Sequence, residues 1–84
     1  MDKLIIRLQA DFPDHSFDVQ KGMFGQQLLV DGTIAVNTWD MGSALVKDPE
    51  FAESVKGMSA EDVLYYYLKE NVTKYLTEKG VING

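Results

Sequence analysis

The sequence predicts an α+β fold: a three-stranded antiparallel sheet packed against helices in two layers, in the order α-β-β-β-α-α. Three observations carry this expectation. Asp31-Gly32 stands between two apolar runs, the strongest short hairpin signal, because a type I′ turn needs positive φ at both central residues. A long amphipathic pattern starts at Ser59 and ends before Gly80, bracketed by an N-cap residue and a residue suited to a left-handed cap. The 84 residues are 45% hydrophobic and 25% charged, the balance of an ordinary folded chain. That length is about half the usual allotment per domain, so a single compact domain over 1–84 is expected.

The first element spans Asp2 to Asp11. Leu4, Ile5, Leu8 and Phe12 fall within an arc of about 100° on a helical wheel. Alternation of Leu4, Ile6 and Leu8 also suits a strand. Helix is preferred, because Arg7, Leu8, Gln9 and Ala10 are good helix formers and Pro13 supplies a stop. Ile6 lies off the helical stripe. From Ser16 to Lys21, Phe17 and Val19 alternate with Asp18 and Gln20, a half-buried strand, which Gly22 to Gly25 interrupts.

Gln26 to Val30 and Thr33 to Trp39 flank the Asp-Gly turn. A two-residue turn opposes Val30 to Thr33, Leu29 to Ile34, Leu28 to Ala35 and Gln27 to Val36. One sheet face would then carry Leu29, Ile34 and Val36, and the other Leu28, Val30, Ala35 and Trp39. A sheet apolar on both faces is unusual in a small domain. It makes a homodimer, with one face covered by a second copy, a candidate arrangement.

Asp40 to Lys47 is expected to be a loop with a helical turn. Asp48-Pro49 opens a short helix, with Asp48 as N-cap, Pro49 in the first helical position, Phe51 and Val55 facing inward and Gly57 ending it. In the last helix Ser59 caps, Glu61 and Asp62 complement the helix dipole, and Met58 and Val63 are placed as a hydrophobic staple. Val63, Leu64, Tyr67, Leu68, Val72, Tyr75 and Leu76 form its apolar arc. Tyr66 points to the polar side with Lys69, Glu70, Thr73 and Thr77. Val81 is placed to contact Leu76 beyond the Gly80 cap.

Thirteen acids against eight bases give a formal net charge of −5. From Asp31 to Asp62 there are seven acids against Lys47 and Lys56, which is 2 − 7 = −5, so the remainder of the chain is neutral. This argues against a protein built mainly to neutralise phosphates. Cysteine is absent, which excludes disulfides and thiolate chemistry and fits a reducing, cytoplasmic compartment. No apolar run approaches the roughly 18 residues of a membrane span, and Met1-Asp2-Lys3-Leu4 does not open like a signal peptide. No membrane partner is expected.

Convergent chemistry is scarce. His15 is the single histidine and is expected on an exposed turn, and no nucleophile-elbow motif accompanies Ser16 or Ser43. Asp11, Asp14, His15 and Asp18 cluster in sequence but lack the spacing of a calcium loop. No catalytic residue, metal or cofactor is assigned. Gly22-Met23-Phe24-Gly25 has the spacing of a backbone-clamping loop. Here it joins two strands beside one lysine, so Met23 and Phe24 are better candidates for an apolar contact at a hairpin tip.

The element order resembles that of double-stranded-RNA-binding domains. That family opens its last helix with lysines that grip phosphates. The corresponding turn here, Ser59-Ala60-Glu61-Asp62, has the opposite sign, so direct nucleic-acid binding is not carried over. In size, charge sign and element order the chain also resembles small acidic phage proteins, some anti-CRISPR inhibitors among them. That resemblance implies an alternative function, in which the acids imitate a phosphate backbone and block a nucleic-acid-binding protein.

The leading expectation is a non-enzymatic protein-interaction module that binds a basic partner surface through its middle acids. The candidate contact residues are Asp31, Asp40, Asp48, Glu50 and Glu53, with Met23, Phe24 and Tyr66 as apolar anchors. A small ligand-binding domain or enzyme is the opposing class.

Overall fold

Leucines one helical turn apart begin the core. In the computed structural model, which describes residues 2–23 and 25–80, helix α1 spans Asp2–Asp11 and buries Leu4 and Leu8. Ile5 and Phe12 are half-buried beside them, while Ile6 is exposed. The helical stripe therefore decides the element, and the strand alternative fails because Ile6 would have had to share the buried face.

The sheet follows as β1 (Phe17–Lys21), β2 (Gln26–Val30) and β3 (Thr33–Asn37), antiparallel and in sequence order. The β2–β3 turn is the expected one, with φ of 51° at Asp31 and 85° at Gly32. Opposed pairs Val30–Thr33 and Leu29–Ile34 match the two-residue turn. A bulge then shifts the register, so Leu28 faces Val36 and Gln27 faces Asn37. The extra residue lets Val36 join Leu28 and Val30 on the buried face, where all three are almost fully enclosed. The two-sided apolar sheet expected from an unbroken register is thereby corrected. The outer face keeps Leu29 and Ile34, but also an amide ladder in which Gln20 donates to Gln27 (2.6 Å) and Gln27 to Asn37 (3.2 Å).

Three helices complete the chain: α2 (Asp40–Lys47), α3 (Pro49–Ser54) and α4 (Ala60–Glu78). The segment expected to be mostly loop is thus an eight-residue helix. Its signals are weak in sequence because Trp39 offers no side-chain cap and Gly42 sits inside it. It buries none of its residues, and Val46 is 84% exposed. Both later caps form as expected. The Asp48 carboxylate accepts from the Glu50 and Phe51 N–H groups, and the Ser59 hydroxyl from the Asp62 N–H. Gly80 has the left-handed φ of 74°, while Val81 lies outside the described residues.

Helix α4 packs on β3 and α1, α1 also packs on β1, and α2 packs on α3. The core gathers Leu4 and Leu8, the strand residues Leu28, Val30 and Val36, and Phe51 and Val55. Tyr65, Tyr67, Leu68, Val72 and Leu76 of α4 complete it. Each fully buried leucine contributes about 2–3 kcal/mol from lost apolar exposure. Trp39, placed by the unbroken register on the face of Leu28 and Val30, stays 37% exposed, with its ring near the Gly25 backbone. Among the described residues, no helix is long and apolar enough to cross a membrane.

Candidate functional site

The corner between α2 and α3 is set by Asp48. Its N–H closes α2 on the Ala44 carbonyl (2.9 Å), while its carboxylate caps α3. This double use folds the two short helices against α4, where Phe51 anchors them. The Phe51 ring lies 5.9 Å from that of Tyr66 and 5.7 Å from that of Tyr67, the latter edge-on. Both spacings are those of favourable aromatic pairs.

A cleft of about 540 Å³ opens between α2, α3 and α4. Phe51, Tyr66 and Tyr67 line it with their rings. The carboxylates of Asp40, Asp48, Glu50 and Glu70 surround these rings, with Lys47 and Lys74. Four acids against two lysines leave the lining at −2. Among the described residues, neither lysine forms an ion pair, and neither do Asp40, Glu50 and Glu70.

Tyr67 is the most enclosed polar side chain of the cleft, at 8% exposure. Its hydroxyl makes no hydrogen bond among the described residues, yet no buried side-chain oxygen there is left unsatisfied. The hydroxyl is therefore reached by solvent, on a side chain that lines the cleft. Burial first, and then the charge of Asp40, push its pKa above the ordinary tyrosine value.

Of the residues expected to contact a partner, the cleft brings together Asp40, Asp48, Glu50 and Tyr66. Tyr66 was expected exposed on the polar side of α4. It is half-buried, because α3 lays Phe51 across it. Glu53 is exposed on α3 just outside the lining. Asp31 is elsewhere, at the β2–β3 turn, where it bonds His15 Nδ1 (2.7 Å) and accepts from the Ser16 N–H (2.8 Å). His15 is correspondingly not the open turn residue expected, its side chain being only 13% exposed. Met23 projects fully at the β1–β2 tip, and Phe24 lies outside the described residues.

The carboxylates near His15 in sequence go separate ways: Asp11, ending α1, pairs with Lys69, and Asp18, in β1, accepts from the N–H of Val19. Sequence reasoning missed Tyr67, Glu70, Asn71 and Lys74 as one surface with Tyr66. Their spacing of i, i+1, i+4, i+5 and i+8 on α4 was the available signal. Phe51 was assigned inward and serves both core and cleft. Comparison with protein-family models, with curated proteins and with solved structures finds no match for this chain.

Proposed function

We propose that this chain is a non-enzymatic interaction module that offers the acidic cleft of α2, α3 and α4 to a basic surface on a partner protein. The observation that carries the reading is the unanswered charge of Asp40, Glu50 and Glu53, which form no ion pair among the described residues. Unpaired like charges grouped on one face raise the local potential and speed encounter with a basic surface. Asp48 belongs to the cleft by position, but its carboxylate is already engaged by the α3 cap.

A lysine decapeptide serves as probe, with binding read by fluorescence anisotropy. Affinity should fall steeply between about 50 and 200 mM salt, as screening shortens. Glu50→Lys with Glu53→Lys should weaken binding by about tenfold or more, whereas Asp2→Lys with Asp14→Lys, an equal change in net charge, should cost about twofold. Equal losses from the two pairs would mean that general acidity, and not this face, attracts the probe, and the reading would fall.

A further inference from the structure

The fold already holds one cation in a definite way. The Arg7 guanidinium lies 3.8 Å over the Tyr65 ring and donates to the Asp62 carboxylate at 3.1 Å. Ring and carboxylate both belong to the first turns of α4. One and two residues further on, Tyr66 and Tyr67 present rings to the cleft, and Asp40 supplies the carboxylate near Tyr67. The same two ingredients recur there, open to solvent.

Tyr67 narrows what can fill this place. A partner that covered the cleft with an apolar side chain would strip water from the Tyr67 hydroxyl and the Asp40 carboxylate and give nothing back. An unsatisfied buried hydroxyl costs about 1–3 kcal/mol, and a carboxylate more. The occupant must therefore bring several donors close together, and it must tolerate rings on its other side. A guanidinium does both. It is planar, stacks on aromatic faces, and carries five N–H donors in a fixed fork. An ammonium meets the charge but lacks the flat face.

Resting on the proposed function, we infer that the cleft is an arginine-recognition site. One arginine of the partner lies against the Phe51 and Tyr66 rings and donates to the Asp40 carboxylate and the Tyr67 hydroxyl. Glu50 and Glu70 supply surrounding negative charge, which Lys47 and Lys74 partly offset. The site is distinct from the Arg7 contact, which ties α1 to α4 within the chain.

The full chain is titrated by NMR with a blocked glycyl-arginyl-glycine peptide, and with its lysine and citrulline counterparts. Amide shifts should concentrate at residues 40–54 and 66–74. The arginine peptide should bind at least about threefold tighter than the lysine one, from its added stacking and fork geometry. The citrulline peptide, of the same shape without charge, should not bind measurably. Tyr67→Phe should weaken arginine binding about fivefold, the worth of one hydrogen bond, and Asp40→Asn about tenfold, since its bond is charge-assisted. Both variants should keep the unfolding midpoint near that of the parent chain. Glu61→Gln, which removes one charge beside α1, should change affinity by less than about twofold.

Equal affinity for arginine and lysine, retained citrulline binding, or an unaltered Tyr67→Phe titration would each overturn the inference. The lysine decapeptide separates it from the broader reading. If that probe still binds through Glu50 and Glu53 while the arginine peptide moves no cleft amide, only the arginine site is lost. If neither binds, both fall.

Discussion

Next to α1, three carboxylates are answered from within the chain, Asp62 by Arg7 at 3.1 Å, Asp31 by His15 at 2.7 Å and Asp11 by Lys69 at 3.5 Å, while Asp2, Asp14 and Glu61 form no ion pair among the described residues. Around α2 and α3, Asp40, Glu50 and Glu53 have no such answer among the described residues. The two regions also differ in how they are held. The α1 side uses long-range polar links over the buried Leu4 and Leu8. The α2–α3 corner uses one aspartate cap and the Phe51 ring. Exposed ion pairs contribute little stability individually, so the first set mainly orients α1 and the hairpin turn against their neighbours. What the second region lacks in such links it keeps as uncompensated negative charge. Negative charge retained without an internal partner is a property suited to an external one.

The largest expected effect removes the support common to both regions. Leu68 is fully buried in α4, next to Tyr67 and within one turn of Tyr65 and of the cleft residues Tyr66 and Glu70. Leu68→Ala should lower unfolding free energy by about 3 kcal/mol, from lost transfer energy and the cavity left behind. Urea unfolding measures this, and one transition seen alike by far-UV circular dichroism and tyrosine fluorescence is expected. Two separated transitions would show that the regions are energetically independent, and the comparison would then be one of two folding units.

A smaller effect tests the internally paired side alone. Arg7→Met keeps an apolar stem over Tyr65 but removes the cation and the bond to Asp62. The expected loss is about 1 kcal/mol, the sum of an exposed cation–π contact and an exposed pair. The arginine-peptide affinity of the cleft should not change. A shift in that affinity would show that the two sites communicate along α4.

These contrasts were only partly legible in the sequence. The hairpin turn, both caps and the stripes of α1 and α4 rest on residues within one or two turns of each other, so local chemistry decides them. The Leu28/Leu29 bulge does not, because it is selected by the gain from burying Val36 against helices far along the chain. The acidic stretch was legible as a charge excess. Which acids are spent internally was not, since Arg7 and Asp62 are 55 positions apart and His15 and Asp31 are 16 apart. The exposure of Met23 was open in the sequence, because nothing local decides whether a hairpin tip folds back on the core, and Tyr66 lost its expected exposure to a helix that passes over it.

Acid titration sharpens the same contrast with a smaller signal. Hydrogen bonding from His15 first, then from the Ser16 N–H, holds the Asp31 carboxyl below its ordinary value of 3.8. A carboxylate with a depressed folded pKa stabilises the fold above its unfolded value, and that contribution disappears as pH falls through the folded value. The thermal midpoint should therefore drop more steeply below about pH 4 in the parent chain than in Asp31→Asn. Near neutral pH the variant should be modestly less stable, since asparagine tolerates the positive φ but loses the carboxylate's hydrogen bonds with His15 and the Ser16 N–H. Parallel acid limbs in the two proteins would show that the His15 link carries no folding energy.

The smallest stability effect is also the most discriminating. Glu50 and Glu53 stand three apart on the exposed side of α3, a spacing at which like charges repel by a few tenths of a kcal/mol. Glu50→Gln with Glu53→Gln should leave stability unchanged or raise it by up to about 0.5 kcal/mol, while reducing decapeptide binding several-fold. A thermal midpoint that rises as affinity falls is the signature of charge kept for a partner at the expense of the fold. Neutralising Asp62 should do the reverse, lowering the midpoint and sparing affinity, because its charge is already used by Arg7. If both changes destabilise alike, the acids of α3 are structural, and the division between internally answered and outward-facing charge does not hold.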